Sequence, residues 1–158
     1  MAVRPARLLW AIPLLLTGCV HSQARPVTAR FTESGVEVTI TVTAEAVRAA
    51  YRPTRAGFHV YSVDLPEGGV RGLGIPTRLS VRGGLTATGR ATADKPVRPL
   101  DLPSLGVTLR VYPDGPVTVL LPVRRTGRTA DIVVSYGACS SGTCLAPVTD
   151  HVTTVALG

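Results

Sequence analysis

Apolar and polar residues alternate most regularly at Val36, Val38, Ile40 and Val42, set against Glu37, Thr39, Thr41 and Thr43. A period of two over eight residues predicts a strand with one buried face. Gly57 to Val63 reads as a second strand, Pro66-Glu67-Gly68-Gly69 as a turn, and Thr77 to Arg82 as a strand ending at Gly83-Gly84. Val107 to Tyr112, Val117 to Val123 and Thr129 to Tyr136 follow, separated by Pro113-Asp114-Gly115 and Arg125-Thr126-Gly127, and Val148 to Leu157 completes the set. Two stretches break the pattern. Ala44 to Arg52 reads as a short helical turn closed by Pro53 and Gly57, and Ala91 to Gly106 as a Pro-rich irregular connection.

Composition supports the strands. The 158 residues are 45% hydrophobic, 17% charged and 4% aromatic, with 16 Gly and 13 Pro, so long helices are disfavoured. The expected fold class is all-β, an immunoglobulin-like β-sandwich of about seven to nine short strands in one domain over residues 30–158. The formal charge is +7, of which Arg4 and Arg7 belong to the N-terminal segment. Lys95 is the only Lys, and the remaining Arg residues are scattered rather than clustered among aromatics. That pattern argues against nucleic-acid binding and fits a solvated basic face near anionic lipid. No Gly-x-Ser-x-Gly or His-Glu-x-x-His run occurs, which leaves hydrolase chemistry without a sequence signal.

The N-terminus has the layout of an export signal: Arg4 and Arg7 precede the apolar run Leu8 to Leu16, which is too short to span a bilayer. Leu16-Thr17-Gly18-Cys19 resembles the lipobox of bacterial lipoproteins. That resemblance implies a signal peptide over residues 1–18 and lipidation of Cys19, with residues 19–29 as lipidated N-terminus and polar tether. The chain is then expected on the extracytoplasmic face of a bacterial membrane, held by its lipid. Assigning Cys19 to lipid leaves Cys139 and Cys144 as the other thiols, in a compartment where disulfides form and persist. The four residues between them, Ser140 to Thr143, are enough to turn the chain and bring the two cysteines into bonding range.

Tyr136-Gly137-Ala138-Cys139 and Cys144-Leu145-Ala146-Pro147, set between two predicted strands, are similar to a segment of the N-terminal periplasmic domain of the DsbD thiol:disulfide interchange family. A second stretch is similar as well: Gly57-Phe58-His59-Val60-Tyr61-Ser62, followed by Leu65-Pro66-Glu67-Gly68-Gly69 and Ile75-Pro76-Thr77. The resemblance spans roughly Arg30 to Leu157. It implies an immunoglobulin-like domain that passes reducing equivalents between a membrane thiol reductase and thioredoxin-like extracytoplasmic partners, here separate chains, with no cofactor. By the same resemblance Cys144 forms the mixed disulfide, Cys139 resolves it, and His59 and Tyr61 lie beside the pair, His59 either aiding proton transfer near a thiol or standing as a hydrogen-bonded strand histidine; Tyr136, also near the pair in the chain, fits the core better than catalysis. His59 and Tyr61 are two apart on a predicted strand and face one way. The family also shields its cysteines with a cap loop, whose counterpart by position falls near Asp101 to Val107, where Leu102, Pro103 and Leu105 are the bulky residues.

Two other readings of the same residues stay open. A short-loop disulfide can serve only as a hairpin staple in a lipid-anchored binding or adhesion module, and a β-sandwich hosts many functions. Cys139, Cys144 and His59 are also soft ligand types suited to Cu(I) or Zn, although no Cys-x-x-Cys spacing or Met cluster accompanies them and no metal site is expected.

Overall fold

The structure, a computed structural model, describes residues 25–158. The expected signal peptide, the lipobox-like segment and Cys19 lie outside the described residues. Among the described residues eleven strands form in chain order: β1 (Val27–Glu33), β2 (Val36–Val42), β3 (Ala46–Pro53), β4 (His59–Val60), β5 (Arg78–Ala87), β6 (Thr92–Ala93), β7 (Arg98–Leu102), β8 (Val107–Val111), β9 (Val117–Tyr136), β10 (Ala138–Cys139) and β11 (Val148–Ala156). A single 3-10 turn, Pro103–Leu105, joins β7 to β8. The architecture is the expected all-β, immunoglobulin-like sandwich.

The main sheet runs β1-β2-β3-β9-β11, with β5 and β6 also paired to β9. The 20-residue β9 organises the domain, because its two halves serve different neighbours. Val117 to Pro122 pair with β3, whereas Thr129 to Tyr136 pair with β11. β5 accompanies both halves, with Arg78 to Gly83 against Ser135 to Ala130 and Leu85 to Ala87 against Arg125 to Val123. The sheet curls until its ends meet. Phe31 of β1 stacks on His151 of β11 with ring centroids 3.6 Å apart, and the His151 Nδ1 lies 2.7 Å from the Glu33 carboxylate.

The alternation in β2 does what it predicts: Val36, Val38, Ile40 and Val42 are buried, and the intervening Glu37, Thr39 and Thr41 are only partly so. They pack with Val47, Ala49 and Tyr51 of β3 and with Val119, Leu121, Ile132, Val134 and Tyr136 of β9. Tyr51 and Tyr136 of this cluster meet edge to face at 5.3 Å. Burial, more than the neighbouring phenols, pushes the Tyr51 pKa far above its ordinary value; burial also raises Tyr136, whose hydroxyl donates to the Glu33 carbonyl at 3.0 Å. A smaller second cluster gathers Tyr61, Leu65, Leu109, Val111 and Cys139 around β4 and β10.

Five sequence expectations are corrected. Ala44 to Arg52 contains no helical turn; Ala46–Pro53 is a central strand whose Val47, Ala49 and Tyr51 point into the core. The small Ala side chains hide its period of two. Arg125-Thr126-Gly127 is no turn between strands, because β9 runs through it. Gly83-Gly84 likewise does not end β5, which continues to Ala87 after a register shift. The glycines mark a backbone crossing: a Cβ on Gly127 would lie 2.9 Å from the Gly84 Cα, so the two strands approach more closely than side chains allow. Finally, Ala91 to Gly106 is not irregular throughout, since it supplies β6 and β7. The first strand also begins at Val27, inside the stretch read as tether.

Candidate functional site

Cys139 ends β10, and the chain turns back at once through Ser140 to Thr143. The turn is held by Ser140 N–H donating to the Thr143 carbonyl at 2.8 Å and by the Gly142 and Thr143 amides donating to Ser140 Oγ at 3.4 and 3.2 Å. On the far side of the cysteines the Leu145 amide donates to the Ala138 carbonyl at 2.9 Å. Hydrogen bonds one residue to either side make Cys139 and Cys144 a non-hydrogen-bonded pair, the closer of the two kinds of antiparallel pair. Their Cα atoms are 4.0 Å apart and their sulfurs are joined in a disulfide. The Cys139–Cys144 bond implied by the sequence is therefore present, on a hairpin that its own backbone already closes.

The two cysteines differ in access. Cys139 is buried at 4% exposure, whereas Cys144 is exposed. β4 covers the buried side by pairing with β10, with Val60 opposite Ala138 and His59 opposite Cys139. Tyr61 continues this register, its amide donating to the Gly137 carbonyl at 3.2 Å. Its ring leans along the strand until the hydroxyl lies 3.1 Å from Cys139 Sγ. A disulfide sulfur carries no proton, so the hydroxyl donates, and burial keeps it protonated by raising its pKa.

Two glycines make room for that ring. A Cβ on Gly137 would meet it at 3.1 Å, and a Cβ on Gly74, whose φ is +80°, would meet it at the same distance from another side. The Tyr61 backbone is fixed by Thr77 Oγ1 donating to its carbonyl at 2.5 Å, and the following segment by Arg78 donating to the Val63 carbonyl at 2.9 Å.

His59 is also buried, at 3% exposure, with Nδ1 3.0 Å from Asp114 Oδ1. Arg98 donates to that same oxygen at 2.6 Å. Tyr136 belongs to the main core: its ring packs on Tyr51 and its hydroxyl is committed to Glu33. The structure thus brings His59, Tyr61, Cys139 and Cys144 together and sets Tyr136 apart.

Beside the cysteines lies an open hollow of about 310 Å³, walled mainly by apolar groups including Leu73, Ile75, Leu102, Leu105, Leu145 and Pro147. The Asp101 to Val107 segment contributes Leu102 and Leu105 to its wall and leaves Cys144 uncovered. Sequence reasoning missed Asp114, Arg98, Gly137 as a close-packing position, and the Gly72-Leu73-Gly74 loop. Only the last carried a signal, a single bulky residue between two glycines. Asp114 read as an ordinary turn residue. Among the described residues no group of three or more His, Cys, Asp or Glu side chains gathers as a metal site.

No protein-family model and no curated protein matches the sequence. Among solved structures, the crystal structure of the Neisseria meningitidis DsbD N-terminal domain in its reduced form matches with a TM-score of 0.53, covering 80% of this chain and 93% of that one. The fold is that of a DsbD N-terminal domain. At 17% identity the likeness carries the architecture alone. The DsbD-like sandwich and the cysteine pair are two separate observations. In the pair itself, one sulfur stands exposed at an apolar rim and the other is held inside under a hydroxyl donor.

Proposed function

We propose that this chain is an extracytoplasmic thiol-disulfide exchange module that relays reducing equivalents through Cys139 and Cys144. Its donor is a membrane thiol reductase and its acceptors are thioredoxin-like proteins, and Cys19 anchors it by lipid. The observation that carries the reading is the unequal access of the two sulfurs. Exchange proceeds by in-line attack on one sulfur at a time. Exposed Cys144 is open to such an attack, and buried Cys139 answers only from within.

In the reduced module the Cys144 thiolate attacks a partner disulfide, a mixed disulfide forms, and one partner sulfur leaves as thiolate. Cys139 then attacks Cys144 Sγ, the internal disulfide forms, and the second partner sulfur leaves. Two electrons pass to the partner, and its two thiolates take up the protons given up by the module. The membrane reductase reverses these steps to recharge the pair. The apolar hollow beside Cys144 suits the apolar surface that surrounds a partner's reactive cysteine, and the hairpin's own hydrogen bonds leave a mere staple little to do, since a loop this short gains only about 2 to 3 kcal/mol from closure.

A trapping experiment tests the assignment. With Cys139→Ala the mixed disulfide on Cys144 cannot be resolved, so a thioredoxin-like partner accumulates as a covalent adduct that reducing agent releases. Cys144→Ala should trap nothing. Absence of any adduct from Cys139→Ala would leave the disulfide as a staple and move attention to ligands of the sandwich.

A further inference from the structure

His59, Cys139 and Cys144 stand in one row. His59 is directly opposite Cys139 across β4 and β10, and Cys139 is directly opposite Cys144 across the hairpin. Residues paired in this way share a face of the sheet. Exposure falls along the row from exposed Cys144 to Cys139 at 4% and His59 at 3%. Neighbouring strands are about 4.8 Å apart, so His59 sits one strand from Cys139 and two from Cys144. Any chemistry His59 performs belongs to the inner sulfur.

The ring is held in one tautomer. An ionised carboxylate only accepts hydrogen bonds, so in the neutral form of the ring the Nδ1 facing Asp114 Oδ1 carries the proton and Nε2 keeps the lone pair. Arg98 bonds to the same Asp114 oxygen and fixes the carboxylate from behind. Nε2 itself is buried without a hydrogen-bond partner among the described residues. A buried basic nitrogen, oriented by a carboxylate and otherwise unused, is an acceptor in waiting.

We infer that His59 is the proton acceptor for the resolving thiol of Cys139, with Asp114 as the positioning residue that sets its tautomer; the inference rests on the exchange reading above. In the mixed disulfide, Cys144 is bonded to the partner's sulfur and Cys139 is a free thiol, no longer tied and able to turn along the row. Its proton passes to Nε2 as its sulfur attacks Cys144 Sγ. The Cys139–Cys144 bond forms, the Cys144–partner bond breaks, and the electron pair leaves on the partner's sulfur. The imidazolium, stabilised by the Asp114 carboxylate, then returns its proton to solvent. The other groups facing the ring are Arg98, through Asp114, and the Tyr61 ring, edge-on at 6.4 Å.

The test separates the two sulfurs in time. The reduced full-length chain carrying Cys19→Ser is mixed with one equivalent of dithiobisnitrobenzoate, and thionitrobenzoate release is followed by stopped-flow absorbance. The first release reports attack by Cys144, the second reports resolution by Cys139. His59→Gln should slow the second release by about tenfold or more and leave the first unchanged. Asp114→Asn, at a side chain 49% exposed, should slow the second release by a smaller factor and serves should His59→Gln not fold. A second release unaltered in these variants, or both releases slowed alike, overturns the assignment. Failure of the parent chain to give any second release overturns the exchange reading on which it rests.

Discussion

In the main sheet the buried residues of β2, β3 and β9 are apolar or aromatic, whereas the buried polar side chains among the described residues, His59, Ser62 and Thr77, all lie on or around β4. The same residue type behaves differently in the two places. Tyr136 spends its hydroxyl on a backbone carbonyl at the edge of the core, and Tyr61 spends its own on a sulfur. A region that only has to fill space can be built from alternation alone. One that has to hold a sulfur needs a donor at a fixed distance, glycines to admit it, and a partnered histidine behind it. If that division is real, substitutions in the two regions should affect different observables.

The sharpest contrast is between Cys144→Ser and Ile132→Ala. Cys144→Ser should abolish exchange with a thioredoxin-like partner, measured as partner reduction, while the fold persists on its hairpin hydrogen bonds. Ile132→Ala, deep in the main core, should cost about 2 to 5 kcal/mol in denaturant unfolding and leave exchange rates untouched below its melting point. Gly137→Ala sits at the boundary: its new Cβ would press on the Tyr61 ring at 3.1 Å and on Ile75 at 3.2 Å, costing about 1 to 3 kcal/mol and slowing exchange together.

These two regions were also unequally readable in the sequence. β2 was plain because Val and Ile alternate with Glu and Thr. β3 was not, because its inward Ala49 and outward Ala50 look alike and the strand reads as weakly helical. At Gly83-Gly84 and Gly127 glycine reads as punctuation but marks a backbone crossing, a distinction that only the partner strand can make. The cysteine pair, and the common facing of His59 and Tyr61, were legible from spacing and order. Their surroundings were not: Asp114 and Arg98 come from turns and strands far along the chain, and only the closure of β7 and β8 onto β4 brings them to His59.

Smaller effects should follow the same division. Tyr61→Phe removes one hydrogen bond and should cost about 1 kcal/mol, yet it should raise the pKa of the Cys139 thiol in a reduced Cys144→Ala background, read from thiolate absorbance, because the hydroxyl no longer favours the thiolate. An unchanged Cys139 titration would remove Tyr61 from the site. In the main core, burial raises the pKa values of Tyr51 and Tyr136, so the folded chain holds these protons more tightly than the unfolded one. That contribution is complete below the ordinary tyrosine value of about 10 and is lost as pH rises above it. Denaturant stability should therefore decline at alkaline pH, and Tyr51→Phe should flatten the decline.

The measurement that bears most directly on the central claim is a redox titration of Cys139–Cys144 in the full-length chain against glutathione and thioredoxin buffers, with thiol trapping at each point. The account predicts that the pair equilibrates with thioredoxin while the chain stays folded, within the range of potentials at which exchange proteins work. A bond that remains oxidised until the fold is denatured would contradict it, and would make the disulfide a fastening of the hairpin alone.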